Sequence, residues 1–226
     1  MASDLVLAWA GDPFVPMNAV GLIAFALVGS TKAIREGFDV FGIAVVGLAM
    51  AFAGGVTRDL LVNRVPLALQ SPTEIGLGTF GVGLAIGASV LLTSPDDHPT
   101  TAPDDHPITV VSEAIGLAAF ATAGAIVATG AGVSAFGVVA IATINAAGGG
   151  AVADVLLDRA PFILFEDFYA TCAVLGGTAY WVAGSVGLAG GTAALSCAAV
   201  TVGTRLAAVR YGWSLPTLRN VNAEGK

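Results

Sequence analysis

Five long stretches without a charged side chain constrain the fold of this 226-residue chain more than any other feature. They cover residues 13–31, 40–57, 75–95, 114–153 and 168–204 and hold 19, 18, 21, 40 and 37 residues. A helix needs about 20 apolar residues to cross the hydrocarbon core of a bilayer. The three shorter stretches therefore predict one membrane span each, and the two longer ones predict two each. We expect an all-α integral membrane protein with seven transmembrane helices, at about 14–33, 40–63, 74–93, 109–129, 134–158, 166–184 and 187–208.

The charge content excludes the main alternatives. Charged residues make up 11% of the chain, whereas a soluble domain carries about 25%. Mean hydropathy is +0.85, so the chain lacks the polar surface that a soluble enzyme of this size would need. The net charge is −7 and no basic stripe is present, which excludes nucleic acid as a partner. We expect the lipid bilayer as the partner, no enzymatic activity, no metal site and no cofactor.

The chain matches itself at an offset of 95 residues. Over positions 21–69, 18 of 49 aligned pairs are identical, among them Gly21 with Gly116 and Asp59 with Asp154. Because the offset contains three helices, an odd number, the copies should cross the bilayer in opposite directions. Such repeats place a site near the bilayer midplane, between the copies. The prediction is a single membrane domain (1–226) with a 3+3 inverted repeat at 14–93 and 108–184, followed by an unpaired seventh helix (187–208).

The basic residues predict the orientation. With the N-terminus outside, seven Lys and Arg residues fall on the inner side and two fall outside, which is the bias that cytoplasmic loops show. We therefore expect a multi-pass protein of the plasma membrane with its C-terminal tail (209–226) in the cytoplasm. Residues 94–107 contain the sequence Asp-Asp-His-Pro twice and predict an acidic cytoplasmic linker between the two copies.

Consecutive glycines lie past the middle of helices two and five. They are Gly54, Gly55 and Gly148, Gly149, Gly150. Adjacent glycines face several sides of a helix at once, which favours a kink or an interrupted helix. Carbonyls freed in this way are tolerated at that depth where they line a cavity and would suit a monovalent cation. Close packing of helices on small residues is the alternative.

A carboxylate follows each set of glycines. Asp59 and Asp154 come about one helical turn later, and we expect them at the outer and inner mouths of an ion pathway. The alternative is a structural ion pair with Arg58. The second copy has Ala153 at the position of Arg58, so its inner mouth should carry one positive charge fewer.

Other polar residues within the predicted spans are candidates for lining the pathway. Asn145 is expected either to line it or to form a hydrogen bond between helices. Thr57 and Lys32 are further candidates. The default interpretation of Lys32, and of Arg205 near the end of helix seven, is that each extends its charge to the membrane interface.

The sequence Gly-Gly-x-x-Arg-Asp at 54–59, partly repeated at 149–154 after a Phe-Gly-led helix, resembles a known family. This family is UPF0126, also labelled a glycine-transporter domain, the prokaryotic relatives of the trimeric intracellular cation (TRIC) channels. Segments 154–164, 166–177 and 205–217 are similar to it as well. The resemblance implies a homotrimer with one pore per subunit, helices two and five kinked at the glycines, and K⁺ and Na⁺ as permeant ions. The alternative is a transporter of glycine or another small amino acid. Ala53, at the first position of the glycine triple, and Ala153 depart from the family pattern.

Overall fold

The structure is a computed structural model that describes residues 12–92, 107–164 and 168–215. The predicted acidic linker lies outside the described residues, apart from its last residue, and so does the chain after residue 215. Seven long helices are described: α1 Phe14–Arg35, α2 Val40–Leu61, α3 Pro72–Leu92, α4 Pro107–Gly130, α5 Ala135–Leu156, α6 Ala170–Ser185 and α7 Gly190–Tyr211. A one-turn helix (Leu67–Gln70) follows α2, and a 3₁₀ turn (Phe162–Leu164) follows α5.

Six of the long helices are long and apolar enough to cross a membrane. The prediction of an all-helical, multi-pass membrane protein is therefore confirmed over the described residues. The exception is α6, whose 16 residues fall short of the roughly 20 that a span usually needs.

The start of the last helix differs from the prediction. The sequence predicted it from residue 187, but α7 begins at Gly190. Gly187 has a φ of 82°, a left-handed conformation that glycine adopts at low cost and that commonly ends a helix. The backbone N–H of Leu188 donates to the carbonyl of Ala183 at 3.1 Å, which closes α6 and delays the start of α7.

Equivalent residues of the two copies have equivalent local structure. The Asp39 side chain caps α2 by accepting from the N–H of Gly42, and Ser134, 95 residues later, caps α5 by accepting from the N–H of Gly137. Past the ends of these helices, Asn63 and Asp158, again 95 residues apart, have φ angles of 55° and 56°. The sequence repeat is thus also a repeat of caps and turns.

Helices α1 and α4 pack through a reciprocal contact. The ring of Phe120 occupies the place where a side chain on Gly21 would lie, and the ring of Phe25 does the same at Gly116. The two rings meet edge to face with their centroids 5.1 Å apart. Because the earlier residue of each helix contacts the later residue of the other, α1 and α4 run antiparallel.

The same relation holds where α2 crosses α5, at the consecutive glycines. Gly54 lies against the backbone oxygen of Asn145, and Gly149 lies against that of Met50. Both helices continue without interruption through their glycines, so the expected interruption of the helix is wrong, while the expected kink stays a prediction. The glycines lack the side chains that would hold the two backbones apart, as in the close-packing alternative.

Candidate functional site

Asp59 and Asp154 lie at opposite ends of the helical bundle. Each comes five residues after the glycine that forms the α2–α5 crossing, and these helices run antiparallel. At ~1.5 Å of rise per residue, the two carboxylates are about 20 Å apart along the bundle. Each lines a separate cavity, which we name the Asp59 cavity and the Asp154 cavity.

The two cavities differ in size and in lining. The Asp59 cavity has a volume of about 530 Å³ and is lined in part by Arg58, Asp59 and Arg64. The Asp154 cavity has a volume of about 140 Å³. Its lining is almost entirely charged or aromatic and comprises Lys32, Glu113, Asp154, Arg159, Ala160, Phe162 and Arg205.

The Asp59 carboxylate is buried and has two partners. One oxygen, Oδ2, accepts from the backbone N–H of Leu67 at 2.9 Å, and the other, Oδ1, accepts from Arg58 Nε at 2.8 Å. The first bond fixes the segment that follows α2, and the second is a buried, charge-assisted pair. The structural pairing with Arg58 that the sequence left open is therefore present.

Asp154 has the equivalent loop contact but a different cation. Its Oδ2 accepts from the backbone N–H of Phe162 at 2.9 Å, and Phe162 is the counterpart of Leu67 in the repeat. Its Oδ1 lies 3.6 Å from Lys32 Nζ. Lys32 comes from α1, in the first copy, so the two copies share this ion pair.

Arg58 belongs to a polar network at the Asp59 end. Its Nη1 donates to Asn18 Oδ1 at 3.5 Å, and the Asn18 amide donates to both carboxylate oxygens of Glu74, at 2.9 and 2.8 Å. The guanidinium also lies 5.3 Å from the centroid of the Phe14 ring. Residues of three helices, α1, α2 and α3, thus surround the Arg58 guanidinium, which is almost inaccessible to solvent.

A second network lies at the Asp154 end. Glu113 is the shared acceptor, with Oε1 3.8 Å from Lys32 Nζ and Oε2 3.5 Å from Arg205 Nη2. Each cation also faces an aromatic ring, Lys32 over Phe162 at 4.8 Å and Arg205 over Tyr169 at 4.9 Å. Lys32 and Arg205 are 5% and 7% exposed, so the expectation that both extend to the membrane interface is wrong.

Asn145 lies at the α2–α5 crossing, between the cavities, and is completely buried. Its Nδ2 donates to the backbone carbonyl of Phe120 at 2.5 Å, which is the bond between helices that the sequence left open. Its Oδ1 has no hydrogen-bond partner among the described residues. Around it the centre of the bundle is apolar, since Phe25, Met50 and Phe120 are each at most 1% exposed.

Thr57 is placed differently from the other candidates. It is exposed on the outside of the bundle, and its hydroxyl donates to the carbonyl of Ala53 one turn earlier at 2.8 Å. It lines neither the Asp59 cavity nor the Asp154 cavity. The other candidates, by contrast, lie at the crossing or in one of the two networks.

Sequence reasoning missed Asn18, Glu74, Glu113 and, as a cavity residue, Arg205. A signal for Asn18, Glu74 and Glu113 exists in the repeat, because Asn18 and Glu113 are 95 residues apart, as are Glu74 and Tyr169. Comparing the copies position by position identifies these sites as places where the charge differs. Arg205 lies outside the repeat and has no such signal.

The fold and its charged cavities define a multi-pass membrane protein that encloses polar sites within a helical bundle. A family model described as glycine transporter matches residues 16–91 and 110–185, one match for each copy of the repeat. The UPF0126 inner membrane protein YadS of Escherichia coli K12 is 33% identical over 206 residues, covering 89% of this chain and 94% of that protein. The chain therefore belongs to the UPF0126 family, and the predicted resemblance is confirmed.

Solved structures of TRIC channels have the same fold. A structure described for conductance through TRIC cation channels is 30% identical, with a TM-score of 0.76, and the match covers 90% of this chain and 96% of that one. The TRIC trimeric intracellular cation channel orthologue from Rhodobacter sphaeroides is 25% identical, with a TM-score of 0.77 and coverage of 88% and 98%.

Proposed function

We propose that the protein is a cation channel, permeable to K⁺ and Na⁺, that works as a homotrimer with one pore in each subunit. The similarity to TRIC cation channels supports conduction of cations, and the trimeric orthologue supports the assembly. The observation that carries the proposal is the pair of cavities at opposite ends of one chain, each lined by a buried carboxylate. Because both cavities lie within one subunit, each subunit has its own path.

The path runs from the Asp59 cavity, across the α2–α5 crossing at Gly54 and Gly149, to the Asp154 cavity. The Oδ1 atom of Asn145 is a polar ligand at the crossing. The antiparallel crossings of α1 with α4 and of α2 with α5 support a 3+3 inverted repeat in which α6 is also a membrane span. The excess of basic residues on one side supports an N-terminus outside and a C-terminus in the cytoplasm of the plasma membrane.

Charge at the Asp59 end favours cations over anions. Among the described residues at this end, Arg58 and Arg64 contribute two positive charges. Asp12, Asp59 and Glu74 contribute three negative charges, so the balance is −1. A carboxylate ~4 Å from a passing cation contributes about 1 kcal/mol in water, and several times that where water is partly excluded. Each 1.4 kcal/mol corresponds to about a tenfold change in local ion occupancy.

Recording from the purified protein in a planar bilayer under a KCl gradient tests the proposal. A channel gives discrete current steps that reverse near the K⁺ equilibrium potential. Absence of steps, with the protein shown to be inserted, contradicts it.

A small zwitterion carrier is the second candidate, favoured by the composition of the Asp154 cavity. Lys32 and Arg205 could bind a carboxylate there, while Glu113 and Asp154 could bind an ammonium. Saturable uptake of radiolabelled glycine into proteoliposomes, without current steps, would favour the carrier over the channel.

A further inference from the structure

We infer that Arg205 on α7 supplies to the Asp154 cavity the guanidinium that Arg58 supplies to the Asp59 cavity, and that the Glu113–Arg205 pair sets the charge a cation meets there. This inference rests on the proposed channel function. It also gives α7, which has no counterpart in the repeat, a place in the conduction path.

The first step is a replacement within the second copy. Its counterpart of Arg58 is Ala153, which is completely buried, so α5 brings no guanidinium to this end. Two neighbouring positions have changed with it, since Glu113 stands in place of Asn18 and Tyr169 in place of Glu74. The carboxylate is thus on the third helix of the first copy (α3) but on the first helix of the second copy (α4).

The second step is geometric. At the Asp59 end, the Arg58 guanidinium contacts Asn18 at 3.5 Å. At the Asp154 end, the Arg205 guanidinium contacts the equivalent residue, Glu113, also at 3.5 Å. Arg205 further lies over the ring of Tyr169, the equivalent of Glu74. The two guanidinium groups therefore contact equivalent residues, although one comes from α2 and the other from α7. The direct pairing with the carboxylate, which Arg58 makes with Asp59, falls to Lys32 at the Asp154 end.

The third step is the charge balance. Lys32, Arg205, Glu113 and Asp154 are all buried, and their two positive and two negative charges cancel. Arg159 also lines the cavity, but its guanidinium is paired with Glu36, so this second pair leaves the balance unchanged. Without Arg205, Glu113 and Asp154 would keep the ammonium of Lys32, which lies 3.8 and 3.6 Å from them, and the charge of this group of described residues would fall by one. The cavity would then carry a charge of −1 and attract cations more strongly. Without the Glu113 charge it would carry +1 and repel them.

Opposite charge changes should therefore change the current in opposite directions. The quantity to measure is the rectification ratio, the cation current entering from the Asp154 side divided by the current entering from the Asp59 side. In symmetric 50 mM KCl, we expect Arg205→Met to increase this ratio by up to about fivefold. Glu113→Gln should lower the same ratio. The double variant Glu113→Gln/Arg205→Met restores the charge balance and should return the ratio to the wild-type value. Arg210→Met is the control, because Arg210 lies in the last turn of the same helix and is exposed.

The rectification ratio separates this role from a purely structural one. If both single variants conduct with the wild-type ratio and only their melting temperatures fall, Arg205 is a structural partner of Glu113 and the inference is wrong. The same holds if Arg210→Met moves the ratio as much as Arg205→Met does.

A wild-type protein that passes no cation current would instead contradict the proposed function. A double-mutant cycle on melting temperature then tests the Glu113–Arg205 pairing on its own. Additive effects of the two substitutions would overturn the correspondence with Arg58, whereas a coupled effect would support it.

Discussion

The α2–α5 crossing makes a quantitative prediction for Gly54→Ala. A Cβ at Gly54 would lie 3.0 Å from the carbonyl carbon of Asn145 and closer still to its oxygen, whereas carbon atoms in favourable contact are about 3.5–4.0 Å apart. The two backbones would therefore have to separate by roughly 0.5–1 Å. Overpacking of this kind typically costs about 1–3 kcal/mol.

A matched control removes the intrinsic effect of replacing glycine in a helix. Gly83 in α3 and Gly203 in α7 are exposed and have open space where a Cβ would be added. There the substitution to Ala should stabilise the helix by up to about 1 kcal/mol. Gly54→Ala has the same intrinsic gain but also the overpacking cost, so it should be about 1–3 kcal/mol less stable than either control.

Thermal unfolding of the detergent-purified protein, followed by tryptophan fluorescence, measures this difference. For a chain of this size, 1 kcal/mol shifts the melting temperature by roughly 2–4 °C. Gly54→Ala should therefore unfold about 2–12 °C below Gly83→Ala and Gly203→Ala. If it unfolds at the same temperature as the controls or above it, close approach of the two backbones is not the reason for glycine at this position.

Three further predictions concern conduction. Asp59→Asn and Asp154→Asn each remove a negative charge from one cavity, so their current–voltage curves should rectify in opposite directions. The rectification should be weaker at 1 M salt, where the field of a charge is screened within ~3 Å. Symmetric currents from both variants would contradict this prediction. Asn145→Leu removes a buried polar side chain at the crossing and its bond to the Phe120 carbonyl, and we expect a lower single-channel conductance. An unchanged conductance would place the path elsewhere. Thr57→Val should leave the conductance within error of the wild type, because Thr57 is exposed outside both cavities.

The helices could be predicted from sequence because the physical rule behind them is local. In a bilayer the backbone must pair with itself, in a helix or a closed barrel. A barrel needs alternating segments of about 10 residues, so long stretches that are apolar throughout predict helices. Helices α1 and α2 begin at Phe14 and Val40, the residues predicted from the sequence. The later start of α7 was missed, because the conformation of Gly187 depends on a turn that the charge pattern does not reveal.

The role of the glycines and of the buried cations could not be predicted in the same way. Whether Gly54 interrupts its own helix or admits a neighbouring one depends on the position of Asn145, 91 residues later in the chain. Lys32 resembles an interfacial lysine when only α1 is considered. Its actual partners, Glu113 and Asp154, are brought to it by α4 and α5, and a buried ammonium is stable only with such partners.

Comparison of the two copies separates packing from function more clearly than either copy alone. The pairs Gly21–Gly116 and Phe25–Phe120 are identical, and they form the reciprocal contact between α1 and α4. The pairs that differ in charge at buried or half-buried positions instead lie in the two networks: Asn18 with Glu113, Lys32 with Val127, Arg58 with Ala153 and Glu74 with Tyr169. Exposed pairs at the helix ends, such as Asp39 with Ser134, also differ in charge but lie outside the networks. A fold made of two similar halves needs the same packing in both. A path that joins two different compartments does not need the same charge at both ends. The asymmetry is therefore expected at the cavities of a channel or carrier, whereas a membrane scaffold would give no reason for it to concentrate there.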